Sequence, residues 1–273
     1  MIYINEVQIC TAYFAKTKFQ TQNFATNHGA GMKVHSYAIS WNEELLMPYY
    51  LKFYSEFCDK IIIYDNESTD RTPEIIKACP KAELRSWNSN NEINENNYVK
   101  IKQSCYKEAR GEADWVIVGD VDEFIFHPNL LEKLEYYKKI GVTLPKVTGY
   151  EIVPNCELNP DDNLPFVYQN GARATSFDKR MIFNPKLDIN FSAGCHTLVN
   201  MPVGSVESFD TLYLMHFKKL NLQYYINRTT LLGKRLSEYN KSRNYAFHYQ
   251  WTPEQITTEY NQVLNACKPI FNA

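Results

Sequence analysis

From Met32 onward, hydrophobic and polar positions follow one another in the rhythm of alternating strand and helix. Lys33 to Ile39 alternates and carries Val, Tyr and Ile, which predicts a first strand. Asn42 to Phe57 sets Leu45, Leu46, Tyr49, Tyr50, Phe53 and Phe57 at three- and four-residue steps, a helix with one apolar face. Lys60 to Tyr64 (KIIIY) is a short unbroken apolar run, the pattern of a strand covered on both sides. Thr72 to Ala78 follows as a helix with Pro73 in its first turn. Ala82 to Trp87 predicts a third strand, and Tyr98 to Arg110 a helix closed by Gly111. Asp114 to Val118 (DWVIV) is another buried strand, with Gly119 to Phe124 at its C-terminal end. Leu130 to Lys139 predicts a further helix. Residues 141 to 215 carry only short β-like pieces between Pro, Asn and Gly, and Lys218 to Arg243 reads as one basic helical stretch.

This order specifies an α/β fold: a doubly wound, mostly parallel sheet flanked by helices. The expected division is an N-terminal extension at 1–31, an α/β domain at 32–215 and a C-terminal helical tail at 216–273. Within the extension, Tyr3 to Ile9 is the one stretch that could form an edge strand. Ligands of such sheets bind outside the carboxyl ends of the strands. Three polar clusters fall there and should share one crevice: Ser40-Trp41-Asn42-Glu43, Asp65 to Asp70, and Asp120-Val121-Asp122-Glu123.

Composition narrows the class. With 44% hydrophobic and 14% aromatic residues the chain can fill a core, which excludes general disorder. Lys and Arg total 29 against 31 Asp and Glu, a net charge of -2, so the basic excess of a nucleic-acid binder is missing. The seven cysteines are odd in number and lack a C-x-x-C pair, which argues for a reducing compartment over a disulfide framework or zinc knuckle. No apolar run approaches the roughly 18 residues of a membrane span. The N-terminus has no basic start followed by an apolar segment, so a cytoplasmic location is expected.

The sharpest chemical signal is Asp120-x-Asp122. In a strand, residues i and i+2 share a face, so two carboxylates would meet at the mouth of a low-dielectric sheet. That is unfavourable unless a cation neutralises them. Oxygen ligands of this kind select Mn²⁺ or Mg²⁺, bound through one or two carboxylates and substrate phosphates. The plainer alternative is a pair of solvated turn acids. Asp65, with Asn66, Ser68 and Asp70, follows the KIIIY strand. Asp65 is expected to accept from a nucleoside N–H or hydroxyl, and the alternative is a turn that caps the next helix.

Three segments together resemble the nucleotide-sugar-binding half of family 2-type glycosyltransferases with the GT-A (Rossmann-like) fold. They are SWNEELLMPYYLKFY, KIIIYDNESTDRTPEI and ADWVIVGDVDEFIF, closest to the bacterial branch whose acidic motif is D-x-D-E-F. The resemblance spans about residues 33 to 127. It implies Mn²⁺ or Mg²⁺, a nucleoside diphosphate donor (most often UDP), inversion at the anomeric carbon, and a glycan or lipid-linked acceptor in surface glycan assembly. Donor contacts then fall to Asn42, Glu43, Asp65, Ser68, Asp70 and Asp120, and metal contacts to Asp120, Asp122 and His216, with a core histidine as the alternative for His216. The family's usual Glu-Asp base is not evident. His196, after the Gly194-Cys195 bend, titrates near neutrality and could serve as base or touch the acceptor, or it could be structural. Glu151, Asp178 and Asp188 are rival bases. The basic stretch is either a solvated face or a source of pyrophosphate contacts through Lys234 and Arg235. Its Tyr224, Tyr225 and Arg228 could also meet anionic lipid, giving peripheral contact with the inner membrane face. Rival functions are a sugar-phosphate nucleotidyltransferase, which wants a Gly-rich basic loop that SYAISWNE lacks, and a non-catalytic sugar- or nucleotide-binding module. A haloacid-type phosphatase would place its acids on the first strand.

Overall fold

The computed structural model describes residues 31–271, so the extension before Gly31, with Tyr3 to Ile9, lies outside the described residues. The chain begins with β1 (Val34–Ser40), α1 (Met47–Ser55), β2 (Lys60–Asp65), α2 (Thr72–Ala78), β3 (Ala82–Ser86), α3 (Glu95–Ser104) and β4 (Trp115–Asp120). It continues through β5 (Glu123–Phe126), α4 (Leu130–Lys139), β6 (Leu144–Ile152), α5 (Leu164–Val167), β7 (Asn170–Arg173) and β8 (Ile182–Phe183). It closes with β9 (Glu207–His216), α6 (Leu222–Gly233), α7 (Glu238–Ser242), α8 (Pro253–Ala266) and β10 (Lys268–Pro269).

The first sheet has the order β3-β2-β1-β4-β8 and is parallel except for its last strand. Strand order therefore reverses beside β1, between β2 and β4, and the crevice such a switch creates opens at their C-terminal ends. Register brings those ends level: Ser40 lies opposite Asp65 and Ile39 opposite Asp120. The alternation in β1 has two readers. Ser36 faces α1, where its hydroxyl meets that of Tyr50 at 2.6 Å, while Tyr37 joins the opposite cluster with Ile62, Val116 and Phe183.

Helix α1 starts five residues later than its apolar spacing predicts. Pro48 sits in its first turn, and Asn42 adopts a left-handed backbone (φ 51°) that no helix accommodates. The expected helix at 98–110 begins earlier, at Glu95, and its last turn tightens to a 3₁₀ segment at Cys105–Ala109.

A second five-stranded sheet, β10-β7-β6-β9-β5, draws its three inner strands from the region where only short pieces were expected. Its long strands β6 and β9 pair in parallel, and β5 runs antiparallel to β9. The chain passes from the first sheet to the second between Asp120 and Glu123. The two sheets share one core, in which Phe124 of β5 packs on Phe53 at 5.5 Å, Tyr54 at 6.1 Å and Phe217 at 5.2 Å. Burying each such ring contributes about 2 kcal/mol.

The C-terminal stretch is bound into this body. Tyr225 of α6 packs with Val153, Ile256 and Tyr260, α8 starts at a Thr252–Gln255 capping box, and β10 pairs with β7. The basic run is not one helix, since α6 ends at Gly233. A Cβ there would lie 2.3 Å from the Tyr249 carbonyl oxygen, so only glycine permits the approach. Among the described residues no helix is long and apolar enough to cross a membrane.

Candidate functional site

A cavity of about 210 Å³ opens at the switch point, walled by the ends of β1 and β4, the start of α3, the 177–196 segment, and residues 216–249. Strand register gathers acidic side chains around His216, which lines the cavity. Glu123 of β5 and Glu151 of β6 flank His216 on the two strands beside β9, and the Phe217 N–H bonds to the Asp122 carbonyl at 2.8 Å. These pairings bring His216 Nε2 to 3.2 Å from Asp122 Oδ2. Gly149 completes the seat: a Cβ there would lie 2.3 Å from the Phe177 Cβ, whose ring rests on His216 at 4.1 Å.

Asp120 and Asp122 line the same cavity but answer to different cations. Lys102 of α3 grips Asp120 with Nζ at 2.7 Å from Oδ1 and 2.8 Å from Oδ2. Lys179 is buried and ion-paired with Glu123. Burial pulls Asp122 toward its neutral form, but His216, Lys218 and Lys179 outweigh it and hold its carboxyl below the usual range. Burial likewise opposes charge on His216, yet Asp122 and Glu151 raise its pKa. Basic side chains of the protein itself thus face the two acids, Lys102 at Asp120 and His216 with Lys218 and Lys179 at Asp122, where the sequence alone points to a metal.

A divalent cation still fits at one point. Among the described residues no three His, Cys, Asp or Glu side chains converge as a metal-binding group. Asp122 and His216 nevertheless offer an oxygen and a nitrogen 3.2 Å apart, and adjacent ligands at about 2.1 Å from a cation stand about 3 Å from one another. Two protein donors suit an ion whose remaining positions belong to water and phosphate oxygens. His216 also carries a second carboxylate behind it: Nδ1 is buried without a hydrogen bond and faces Glu151 Oε1 at 3.7 Å. A carboxylate behind a ligating imidazole fixes its orientation.

Several expected site residues serve other ends. Asp65 is buried, does not line the cavity, and accepts from Ser40 Oγ at 2.8 Å, Ser68 N at 2.9 Å and Ser68 Oγ at 2.6 Å. Ser68 Oγ accepts from Asn42 N at 2.7 Å, and Asp70 accepts from Glu44 N at 3.1 Å and Thr72 N at 2.9 Å. Asn42 Oδ1 accepts from Thr69 N at 2.8 Å. Asn42, Asp65, Ser68 and Asp70 therefore brace two loops, the turn alternative, while the cap position of α2 is Arg71 without a side-chain capping bond. Glu43 does line the cavity, ion-paired with Arg228, and burial pushes its carboxyl up to about 7 against that pairing.

Glu151 is off the cavity wall. Burial would raise its pKa, but His216 and Lys219 bring it down to about 2, too weak for a general base. Asp178 is held by Arg173 at 2.6 Å, and Asp188 by Arg110 at 2.7 Å; neither lines the cavity. His196 does. Its Nδ1 sits 2.7 Å from the Ser176 carbonyl, so Nδ1 is the donor and Nε2 an acceptor, while burial and Lys179 push its pKa down to about 4. Lys234 is exposed and off the cavity, whereas Arg235 is buried and on it. Tyr224 and Arg228 also turn inward and Tyr225 is core, so the surface expected to meet lipid is not one.

Glu95, Tyr98, Lys102, Lys179 and Lys218 also line the cavity, and the sequence alone gives none of them a defined role there, although Lys179-Arg180 is a weaker echo of the resemblance and Lys218 opens the basic stretch. Glu95 accepts from the Gly194 N–H at 3.0 Å, and burial raises its pKa over the opposing pull of Lys102. Lys218 lies 2.9 Å from His248 Nε2 and 4.5 Å from the centre of the Tyr249 ring.

No protein-family model and no curated protein sequence matches the chain. Among solved structures, it is similar to residues 1–349 of Staphylococcus aureus TarS, at 15% identity and a TM-score of 0.44, over 75% of this chain and 65% of that one. The same fragment in complex with UDP-GlcNAc gives 14% identity and a TM-score of 0.39, over 75% and 66%. Glucosyl-3-phosphoglycerate synthase from Mycobacterium tuberculosis, in complex with Mn²⁺, UDP and glucosyl-3-phosphoglycerate, gives 19% and 0.29, over 44% and 45%. The chain thus spans less than two thirds of the length of each of these proteins. All three TM-scores fall below 0.5.

Proposed function

We propose that the protein is a glycosyltransferase that moves a sugar from a nucleoside diphosphate donor, UDP first among them, to an acceptor hydroxyl with inversion. The observation that carries this reading is the meeting of Asp122 with His216 at the switch point of a parallel sheet, inside a cavity also lined by buried ammonium groups. Asp122 and His216 would hold Mn²⁺ or Mg²⁺, which supplies Lewis-acid neutralisation of the leaving diphosphate. Lys218 and Lys179 present N–H donors to the same space and offset charge growing on phosphate oxygens. Glu95 is the proposed general base, because burial moves its pKa toward the working pH while that of His196 moves away. The acceptor proton passes to the Glu95 carboxylate as the hydroxyl oxygen attacks C1. The C1–O bond breaks with its electrons on the diphosphate. His196 Nε2 accepts a hydrogen bond from the sugar or acceptor.

The test is a thermal-shift and calorimetric titration with UDP, with and without Mn²⁺, followed by assay of UDP release from a panel of UDP-sugars. Mn²⁺-dependent binding lost in Asp122→Asn, with turnover lost in Glu95→Gln, is expected. Binding without turnover of any donor would leave a binding module, and no nucleotide binding at all would end the reading.

A further inference from the structure

Arg235 is the least satisfied charge in the cavity. Its side chain is 5% exposed, and both Nη1 and Nη2 are buried without a hydrogen-bond partner. Nε alone is anchored, on the Asn91 carbonyl at 3.2 Å and Asn91 Oδ1 at 2.9 Å. The guanidinium lies 3.5 Å from the centre of the Trp41 ring, which fixes its place against an aromatic surface. Among the described residues no carboxylate forms an ion pair with it. The groups that act on it electrostatically are Tyr98 and a second cation, Arg228.

The backbone holds it there firmly. The turn after Gly233 ends in a parallel bridge, with Ile93 N donating to the Arg235 carbonyl at 2.6 Å and Ser237 N to the Ile93 carbonyl at 3.1 Å. A buried cation without a counter-charge is strongly unfavourable, and folds keep one where a ligand supplies the missing anion. Trp41, Tyr98, Ile93 and Leu232 line the same cavity beside Arg235 and supply no anion to it.

We infer that Arg235 is the oxyanion receptor of this cavity, taking a phosphate or carboxylate group of the substrate on its two free nitrogens. A planar fork suits such a group through two parallel N–H···O bonds. The oxyanion belongs either to the donor's own diphosphate or to an anionic acceptor, and the chemistry is the same. The inference leans on the proposed function only for the identity of the ligand.

The test compares wild type, Arg235→Met and Arg235→Lys by calorimetry with UDP, uridine and inorganic pyrophosphate, and by melting temperature without ligand. Arg235→Met keeps a stem on Trp41 and is expected to melt no lower than wild type, because an unpaired charge is gone. Arg235→Lys guards against a failure of that variant to fold, and is expected to lose about tenfold in affinity with its fold intact. A tenfold or larger loss for UDP, with uridine unchanged, assigns the oxyanion to the donor. Unchanged UDP binding, with pyrophosphate binding to the UDP complex lost, assigns it to the acceptor side. Both ligands bound as tightly by the variants as by wild type overturns the inference. If UDP binding depends on Asp122 but not Arg235, and pyrophosphate binding is also unaffected, the inference alone fails. If UDP does not bind while pyrophosphate binds through Arg235, the glycosyltransferase reading alone fails.

Discussion

The polar clusters that follow β2 and β4 are alike in composition and sit on the same edge of the same sheet, yet they do opposite work. After β2, the side chains are spent on the backbone and on one another. Asp65 takes three donors, Asn66 and Ser89 exchange bonds of 2.8 and 3.1 Å, and Thr72 Oγ1 receives Glu43 N at 2.7 Å. After β4, each acid meets a charged group from a distant element: Asp120 meets Lys102 of α3, Asp122 meets His216 of β9, and Glu123 meets Lys179. A cluster that satisfies itself locally is scaffold. One balanced only by long-range charges keeps polar atoms that a ligand can claim.

That contrast breaks most visibly at Asp122. Asp122→Asn should lower kcat/KM for a UDP-sugar by about a thousandfold or more, about 4 kcal/mol, and shift the melting temperature by only a few degrees. Asp65→Ala should do the reverse. One buried and two partly buried donors lose their acceptor, so unfolding in urea should show a loss of about 3 kcal/mol, with turnover per folded molecule within about threefold of wild type. If Asp65→Ala instead kills turnover at unchanged stability, the two clusters share a role after all.

How much of this was legible beforehand follows the same line. Strand and helix order through β4 could be read because apolar periodicity is a local property, and α2 and α4 match the expected spans. The second sheet could not, since β6 and β9 find each other across more than 50 residues and carry no strict alternation. Asp120, Asp122 and His216, which line the cavity, stand out in the sequence because acids after a buried strand, and a histidine after another apolar run, are conspicuous in one dimension. The ion pairs of Lys102 and Lys179 are not legible there: the first is a lysine in a polar helix, and the second stands in the Lys179-Arg180 echo with nothing to name its partner. Their partners are 18 and 56 positions away. Asp65 misled because a motif gives residue types but not which donors will claim them.

The next effect down concerns a carboxylate that acts through another residue. Glu151 stands behind His216, so Glu151→Gln should weaken the Mn²⁺ dependence of UDP binding and lower kcat/KM about thirtyfold, while Glu151→Asp recovers part of it. A role in packing alone would not lower the His216 pKa. That value, read from the imidazole resonances in an NMR titration, should fall in Glu151→Gln, because Glu151 is one of the charges that raise it.

The smallest effect tests the criterion away from the cavity. Glu56, just past α1, accepts from Asn163 Nδ2 at 2.8 Å, but its other oxygen is buried without a partner. Burial pushes its carboxyl up to about 7, over the opposing hydrogen bond from Asn163 and the charge of Lys52. The folded protein therefore holds this proton more tightly than the unfolded chain, whose carboxyl titrates near 4.5. Stability should then decline as pH rises from about 4.5 to about 7 and level off above, the sign opposite to that of a carboxylate stabilised by a cation. Glu56→Gln removes the titration, so its advantage over wild type should be near zero at pH 4.5. It should grow to about 1 kcal/mol by pH 8, a modest figure because the side chain is only partly shielded from solvent. Denaturation midpoints at the two pH values measure it. An equal gain at both would mean that the missing partner, rather than the charge, sets the cost of an unsatisfied carboxylate in this fold.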